Sequence, residues 1–181
     1  MSRRWRKTIS REKLPDLLVP GLDVVFVGTA AGRRSAAVGA YYAHPGNRFW
    51  PTLHEVGLTP RLYQPHEFPD LVRLGIGFTD MAKLASGMDH EIDPAQFDIP
   101  RFEAAMERCA PRAIAFTSKK AASVFLRAPT GRLALGRQGR LYRRSEIFVL
   151  ASPSGAATRY WTVAPWRDLA AFLGRVPPDE G

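Results

Sequence analysis

The chain carries a single cysteine, Cys109, in 181 residues. One thiol can form no internal disulfide and cannot build a cysteine zinc cage. That scarcity points to a reducing, intracellular setting, in a bacterial cytoplasm. Long apolar runs are missing as well. The longest are short, such as Val24 to Val27, whereas a membrane-spanning helix needs roughly 20 residues. No apolar core follows the N-terminal arginines, so no secretory signal is expected. Acids are scarce beside bases: 17 Asp and Glu stand against 26 Lys and Arg, a net charge of +9. Such an excess suits a polyanionic partner, nucleic acid before membrane, although an arginine-rich genome produces the same excess. No Gly-Lys-Ser/Thr string and no dinucleotide glycine fingerprint occur, which argues against a nucleotide cofactor. No His, Asp or Glu cluster has metal-ligand spacing, and His90 beside Asp89 is too local to count. The expectation is therefore no cofactor and no metal.

What is present reads as one globular domain spanning 1–181. Hydrophobic residues make 45% and charged residues 24%, values that exclude wholesale disorder. A basic arm (1–13) carries Arg3, Arg4, Arg6, Lys7, Arg11 and Lys13, and a short tail closes the chain at 177–181. Between them, near-continuous apolar runs predict strands covered on both faces: Asp23–Gly28, Gly75–Thr79, Arg112–Thr117 and Glu146–Ala151. Helical patterns alternate with them at Asn47–Val56, Pro94–Cys109, Ser118–Leu126 and Trp166–Leu173. Asp93-Pro94 reads as an N-cap followed by proline at the first helical position. The alternation predicts an α/β three-layer sandwich with a mainly parallel four-stranded sheet flanked by helices. In such sheets ligands bind beyond the carboxyl ends of the strands. That rule singles out 28–39, 79–93, 118–120 and 152–159.

The first of these loops reads Gly28-Thr29-Ala30-Ala31-Gly32, with no helix evident behind it. Further on stands Tyr42-Ala43-His44-Pro45-Gly46-Asn47-Arg48-Phe49-Trp50. Together with Gly77-Phe78-Thr79, Ser118-Lys119 and Ser152-Pro153-Ser154-Gly155, this string resembles the mismatch-specific branch of the uracil-DNA glycosylase superfamily, over about residues 23–173. The resemblance implies a mainly parallel sheet between helices, and it implies a job. Uracil is flipped out of a G:U pair in duplex DNA, because its glycosidic bond is inaccessible inside the stack, and the bond is cleaved with water. It implies that Tyr42 stacks on the flipped base and that Ser35 lies beside the pyrimidine C5 edge. Thr29 and Ser152 would bind the polar edge of the base. Lys119, Asn47, Ser154, Gly155, Ala156 and Arg159 would contact DNA. Core packing is the other reading for Tyr42, and helix capping the other reading for Asn47. A Schiff-base role for Lys119 or Lys120 is weaker than a phosphate contact. A monomer acting near the nucleoid is expected.

The departures matter most. The family's first motif carries an asparagine that positions the attacking water, and here that place is Ala30, which cannot hold water. Ala156 is a poor wedge for the gap left by a flipped base, and Arg159 could fill it instead. A relocated carboxylate would restore the chemistry, because the departing base leaves an oxocarbenium-like sugar. Residues 79–93 hold the candidates, in order Asp93, Asp89 and Asp80. Asp93 leads because a helix start would hold it rigidly, though simple capping also explains it. On this reading Asp93→Ala abolishes cleavage while duplex binding survives. The alternatives are a catalytically silent binder of mismatched DNA or a glycosylase for another deaminated or alkylated base. The basic stretch Arg127, Arg132, Arg137, Arg140, Arg143 and Arg144 reads as a phosphate-binding or simply solvated surface.

Overall fold

The computed structural model describes residues 11–179. Most of the basic arm, with Arg3, Arg4, Arg6 and Lys7, and the last two residues of the tail lie outside them. Strand β1 (Val24–Gly28) is buried along its whole length. It pairs in parallel with β2 (Ile76–Asp80) on one side and β3 (Ala113–Phe116) on the other. β3 pairs in parallel with β5 (Ser145–Val149), and β4 (Gly136–Tyr142) closes the sheet antiparallel to β5. The order is β2-β1-β3-β5-β4, so the sheet has five strands and not four.

The added strand lies in the basic stretch read from the sequence as a phosphate-binding or solvated surface. β4 lacks the alternating burial that marks a strand, and its register slips between Arg137 and Leu141. It is an edge strand that exposes arginines, a pattern that blunts edge pairing. Arg143 turns the chain into β5 with φ 55°.

Alternate residues of the central strands feed two cores. Val24, Phe26, Ala113, Ala115 and Phe148 face a layer formed by α2 (Phe49–Glu55), the 3-10 helix Pro65–Leu74 and α5 (Ala164–Phe172). Val25, Val27, Ile114, Phe116, Ile147 and Val149 face α3 (Ile99–Cys109) and α4 (Lys119–Leu126). A sheet buried on both faces needs continuous apolar strands, which is the pattern the sequence displays.

The helices differ from expectation in three places, one being the 3-10 helix Pro65–Leu74, which the helical patterns did not indicate. The 94–109 segment is not one helix. Asp93 caps a short 3-10 turn, Pro94–Gln96, and the chain then extends through Phe97 before Asp98 caps α3. Pro100 lacks an N–H for an upstream carbonyl, so a continuous helix from Pro94 would break there. In the first loop, α1 (Arg33–Val38) was not anticipated. It is six residues long and buries only Ser35, so it has no apolar stripe to read.

Candidate active site

The loops beyond the carboxyl ends of the parallel strands enclose one large cavity of about 1250 Å³, and all four singled-out stretches contribute to its lining. Gly28 ends β1 directly opposite Asp80, the last residue of β2. A β-carbon on Gly28 would come 2.4 Å from Asp80 Oδ1 and 3.7 Å from the Tyr42 hydroxyl. The missing side chain thus makes room for a carboxylate and a phenol on the cavity floor.

Asp80 is 4% exposed. Among the described residues neither of its carboxylate oxygens accepts a hydrogen bond, and the side chain opens on the cavity. Burial, the largest cause, raises its pKa to about 6 from 3.8, with Asp16 and Asp89 adding and Lys83 and Arg101 opposing. The group is therefore ionised at neutral pH but is a far better proton acceptor than a surface aspartate.

Tyr42 stands at φ 51° and lays its ring on Phe49, with centroids 3.9 Å apart and planes 14° from parallel. Its hydroxyl lies 3.0 Å from Thr117 Oγ1. Thr117 Oγ1 donates its own proton to the Val27 carbonyl, so Tyr42 donates to Thr117. Burial and the neighbouring Asp80 push the phenol pKa well up, so it stays protonated. Packing and cavity lining coexist at Tyr42: one ring face covers Phe49 while the residue lines the cavity. Thr29 Oγ1 and Ser118 Oγ, 3.1 Å apart, add a second hydroxyl pair.

The loops are braced against one another. Gly28, Thr29 and Ala31 carbonyls accept from the Met81, Ala82 and Gly87 amides. Asn47 Oδ1 accepts from the Phe49 amide at 2.9 Å, so it caps α2 from one residue before the formal cap. The Arg48 amide donates to the Pro153 carbonyl at 2.8 Å. Gly155 approaches so closely that a β-carbon there would sit 3.1 Å from the Gly46 carbonyl. The long His-Pro-Gly-Asn-Arg-Phe-Trp string thus joins two walls of the cavity while capping a helix.

The structure brings together Thr29, Tyr42, Asn47, Asp80, Asp89, Lys119, Ser152, Ser154, Gly155 and Ala156 around this cavity. It leaves three anticipated residues outside the lining. Asp93 is exposed and spends a carboxylate oxygen on the Ala95 amide at 2.9 Å. Ser35 is buried, where its hydroxyl accepts from the Ala43 amide and holds the Tyr42 loop. Arg159 points its guanidinium over Tyr160, 5.8 Å from the ring centroid. Ala30 offers only a methyl, partly buried against the second core. Lys120 donates to the Asp89 and Ile92 carbonyls and Arg33 pairs with Glu91 at 2.8 Å, so both act as struts for the acidic loop. Tyr160, 75% exposed on the cavity rim, was not singled out, because one tyrosine beside an arginine carries no sequence signal.

A solved structure from Methanosarcina acetivorans, named as a presumptive uracil DNA glycosylase, is similar to this chain at 23% identity and a TM-score of 0.62. The match covers 89% of this chain and 95% of that one, and it supports the fold. The model of the uracil DNA glycosylase superfamily matches residues 15–170, nearly the whole described chain and the cavity lining except Leu14. On that match the chain belongs to the uracil DNA glycosylase superfamily.

Proposed function

We propose that this chain is a monofunctional glycosylase that hydrolyses the N-glycosidic bond of uracil in G:U-mismatched duplex DNA, with Asp80 as its reacting carboxylate. Members of the superfamily are DNA glycosylases, hydrolases that act on DNA. The observation that carries the residue assignment is Asp80 itself: a buried carboxylate, bonded by no described residue, open to the cavity beside Tyr42. Burying a charge without partners is costly, so folded proteins keep such groups chiefly where chemistry uses them.

In the proposed reaction the flipped base enters over Tyr42, whose ring offers a π-face to a pyrimidine. The Thr29 backbone and the Ser152 hydroxyl meet its polar edge. Lys119 and the Ser154–Ala156 turn meet the DNA backbone. As the C1′–N1 bond breaks, its electron pair leaves with uracil and positive charge builds on the sugar. Ionised Asp80 stabilises that charge and takes a proton from water as the water oxygen bonds to C1′. The proton then passes to the departing uracil anion, and an abasic site remains. No lysine is needed, and the protein acts as a monomer.

The test is a duplex oligonucleotide with one G:U pair, incubated with protein and then treated with alkali. Strand cleavage that appears only after alkali supports the monofunctional reading. Cleavage without alkali indicates a lyase and overturns it. Tight binding with no cleavage favours the silent binder that Ala30 suggests. Asp80→Asn is expected to abolish release, and full turnover in that variant removes Asp80 from the chemistry.

A further inference from the structure

Behind the cavity floor lies a compact ionic cluster that the proposed reaction leaves without a task. Asp16 reaches it from the segment before β1. That segment runs along the outer edge of β2, where the Leu17 and Phe78 amides and carbonyls pair in both directions at 3.0 Å. One Asp16 oxygen meets Lys83 Nζ at 2.8 Å and accepts from Thr79 Oγ1 at 2.7 Å. The other meets Arg101 Nη1 at 2.8 Å. Arg101 Nη2 donates to the Asp80 carbonyl at 2.7 Å, gripping the backbone of the candidate carboxylate. Lys83 is 4% exposed at its side chain and also donates to the Leu14 carbonyl and the Tyr41 hydroxyl. Three elements therefore converge: the N-terminal segment, the β2 loop and α3.

Within this trio two cations share one carboxylate, so Asp16, Lys83 and Arg101 together carry one net positive charge. A buried ammonium is costly to keep, and a structural role would be met as well by apolar residues of the same volume. None of the three residues lines the cavity. All three nevertheless act electrostatically on Asp80: Lys83 and Arg101 favour its ionised form, while Asp16 disfavours it. Among the described residues the other ionisable groups around Asp80 are Asp89 from the acidic loop, which disfavours ionisation, the protonated phenols Tyr41 and Tyr42, and the cavity-lining Arg33, Arg34, His44, His90, Lys119 and Lys120.

We propose that Lys83 and Arg101, clamped by Asp16, are positioning residues that hold the Asp80 carboxylate ionised and aimed from behind the cavity floor. The inference rests on Asp80 as the reacting group. Arg101 fixes where the carboxylate starts, through the backbone, and Lys83 supplies its counter-charge through the protein rather than by contact. Asp16 moderates both, so the charge sign of each substitution predicts its own direction.

The experiment is a pH profile of single-turnover uracil release from the G:U duplex, with thermal melts of every variant. The wild-type acid limb is expected near pH 6, the value to which Asp80 is raised. Lys83→Met removes a cation and is expected to move the limb up by about one pH unit. Its rate near the limb then falls roughly tenfold, while the alkaline plateau changes little. Asp16→Asn leaves both cations unopposed and is expected to move the limb down. Lys83→Arg, keeping the charge, restores the wild-type profile. Equal loss at all pH values, with an unmoved limb, would show a merely structural cluster and overturn the inference. If Lys83→Met does not fold, Asp16→Asn decides alone, because its shift has the opposite sign. An inactive Asp80→Asn with an unmoved limb in the other variants defeats only this inference. A fully active Asp80→Asn defeats the functional reading beneath it.

Discussion

Asp80→Asn should make the protein more stable as it makes it inactive. Asp80 is 4% exposed and its pKa rises from 3.8 to about 6, chiefly through burial. A shift of that size corresponds to about 3 kcal/mol of native stability given up on ionisation. The sign follows from linkage. The folded state holds the proton more tightly than the unfolded chain, so Asp80 favours folding below about pH 4. That contribution is lost as pH rises through about 6. Asparagine has nearly the same shape and no charge, and no described hydrogen bond to the carboxylate is lost. At neutral pH the variant should therefore melt roughly 6–12 °C higher for a chain of this size. Near pH 4 both proteins carry a neutral side chain and the gap should close. Differential scanning calorimetry across that range measures both quantities. A variant that melts lower at neutral pH, or a gap that persists unchanged in acid, would refute the account of Asp80 as a buried charge whose carboxylate accepts no hydrogen bond from a described residue.

Other substitutions separate the remaining roles. Gly28→Ala would place a β-carbon 2.4 Å from Asp80 Oδ1, so the carboxylate must swing away. Uracil release should fall on the order of 100-fold with the fold intact by circular dichroism, and wild-type rates would contradict the geometry. Tyr42→Phe keeps the ring on Phe49 and loses only the donation to Thr117, so it should cost about 1 kcal/mol in denaturant unfolding and little turnover. Tyr42→Ala should weaken binding of an uncleavable G:U analogue by about 1–3 kcal/mol, read by fluorescence anisotropy. Asp93→Ala removes the cap on the Ala95 amide and should cost about 1 kcal/mol of stability while leaving turnover unchanged. Loss of turnover there would return the chemistry to the acid first favoured on sequence grounds.

The strands and their helices were legible because their signals are local. Val24–Gly28 is apolar at every position except its last, as a strand covered on both faces must be. The helical pattern over Ser118–Leu126 matches α4, which begins one residue later because the Ser118 hydroxyl caps it by accepting from the Ala121 amide. β4 escaped notice because an arginine-rich edge strand shows no alternation, and α1 because six residues make too short a stripe. The loops that wall the cavity were also legible, since parallel strands must place their carboxyl ends together.

Which acid serves the cavity was not legible. Asp93 and Asp80 lie in one acidic stretch, and chain order alone favoured the residue with a cap signature. What favours Asp80 is register: it stands opposite Gly28, and a glycine there leaves its carboxylate open to the cavity. Asp93 meanwhile faces solvent from a turn of its own. The same holds for Asp16, Lys83 and Arg101, far apart in the chain and joined at 2.8 Å only when the N-terminal segment pairs along β2. Sequence by itself determined the layers and the side of the sheet where the cavity opens, because burial periodicity and strand direction are properties of neighbouring residues. Tertiary structure alone decided which carboxylate is buried with no hydrogen bond from a described residue and which charges face it, because desolvation and Coulomb interaction depend on distance through the folded protein and not along the chain.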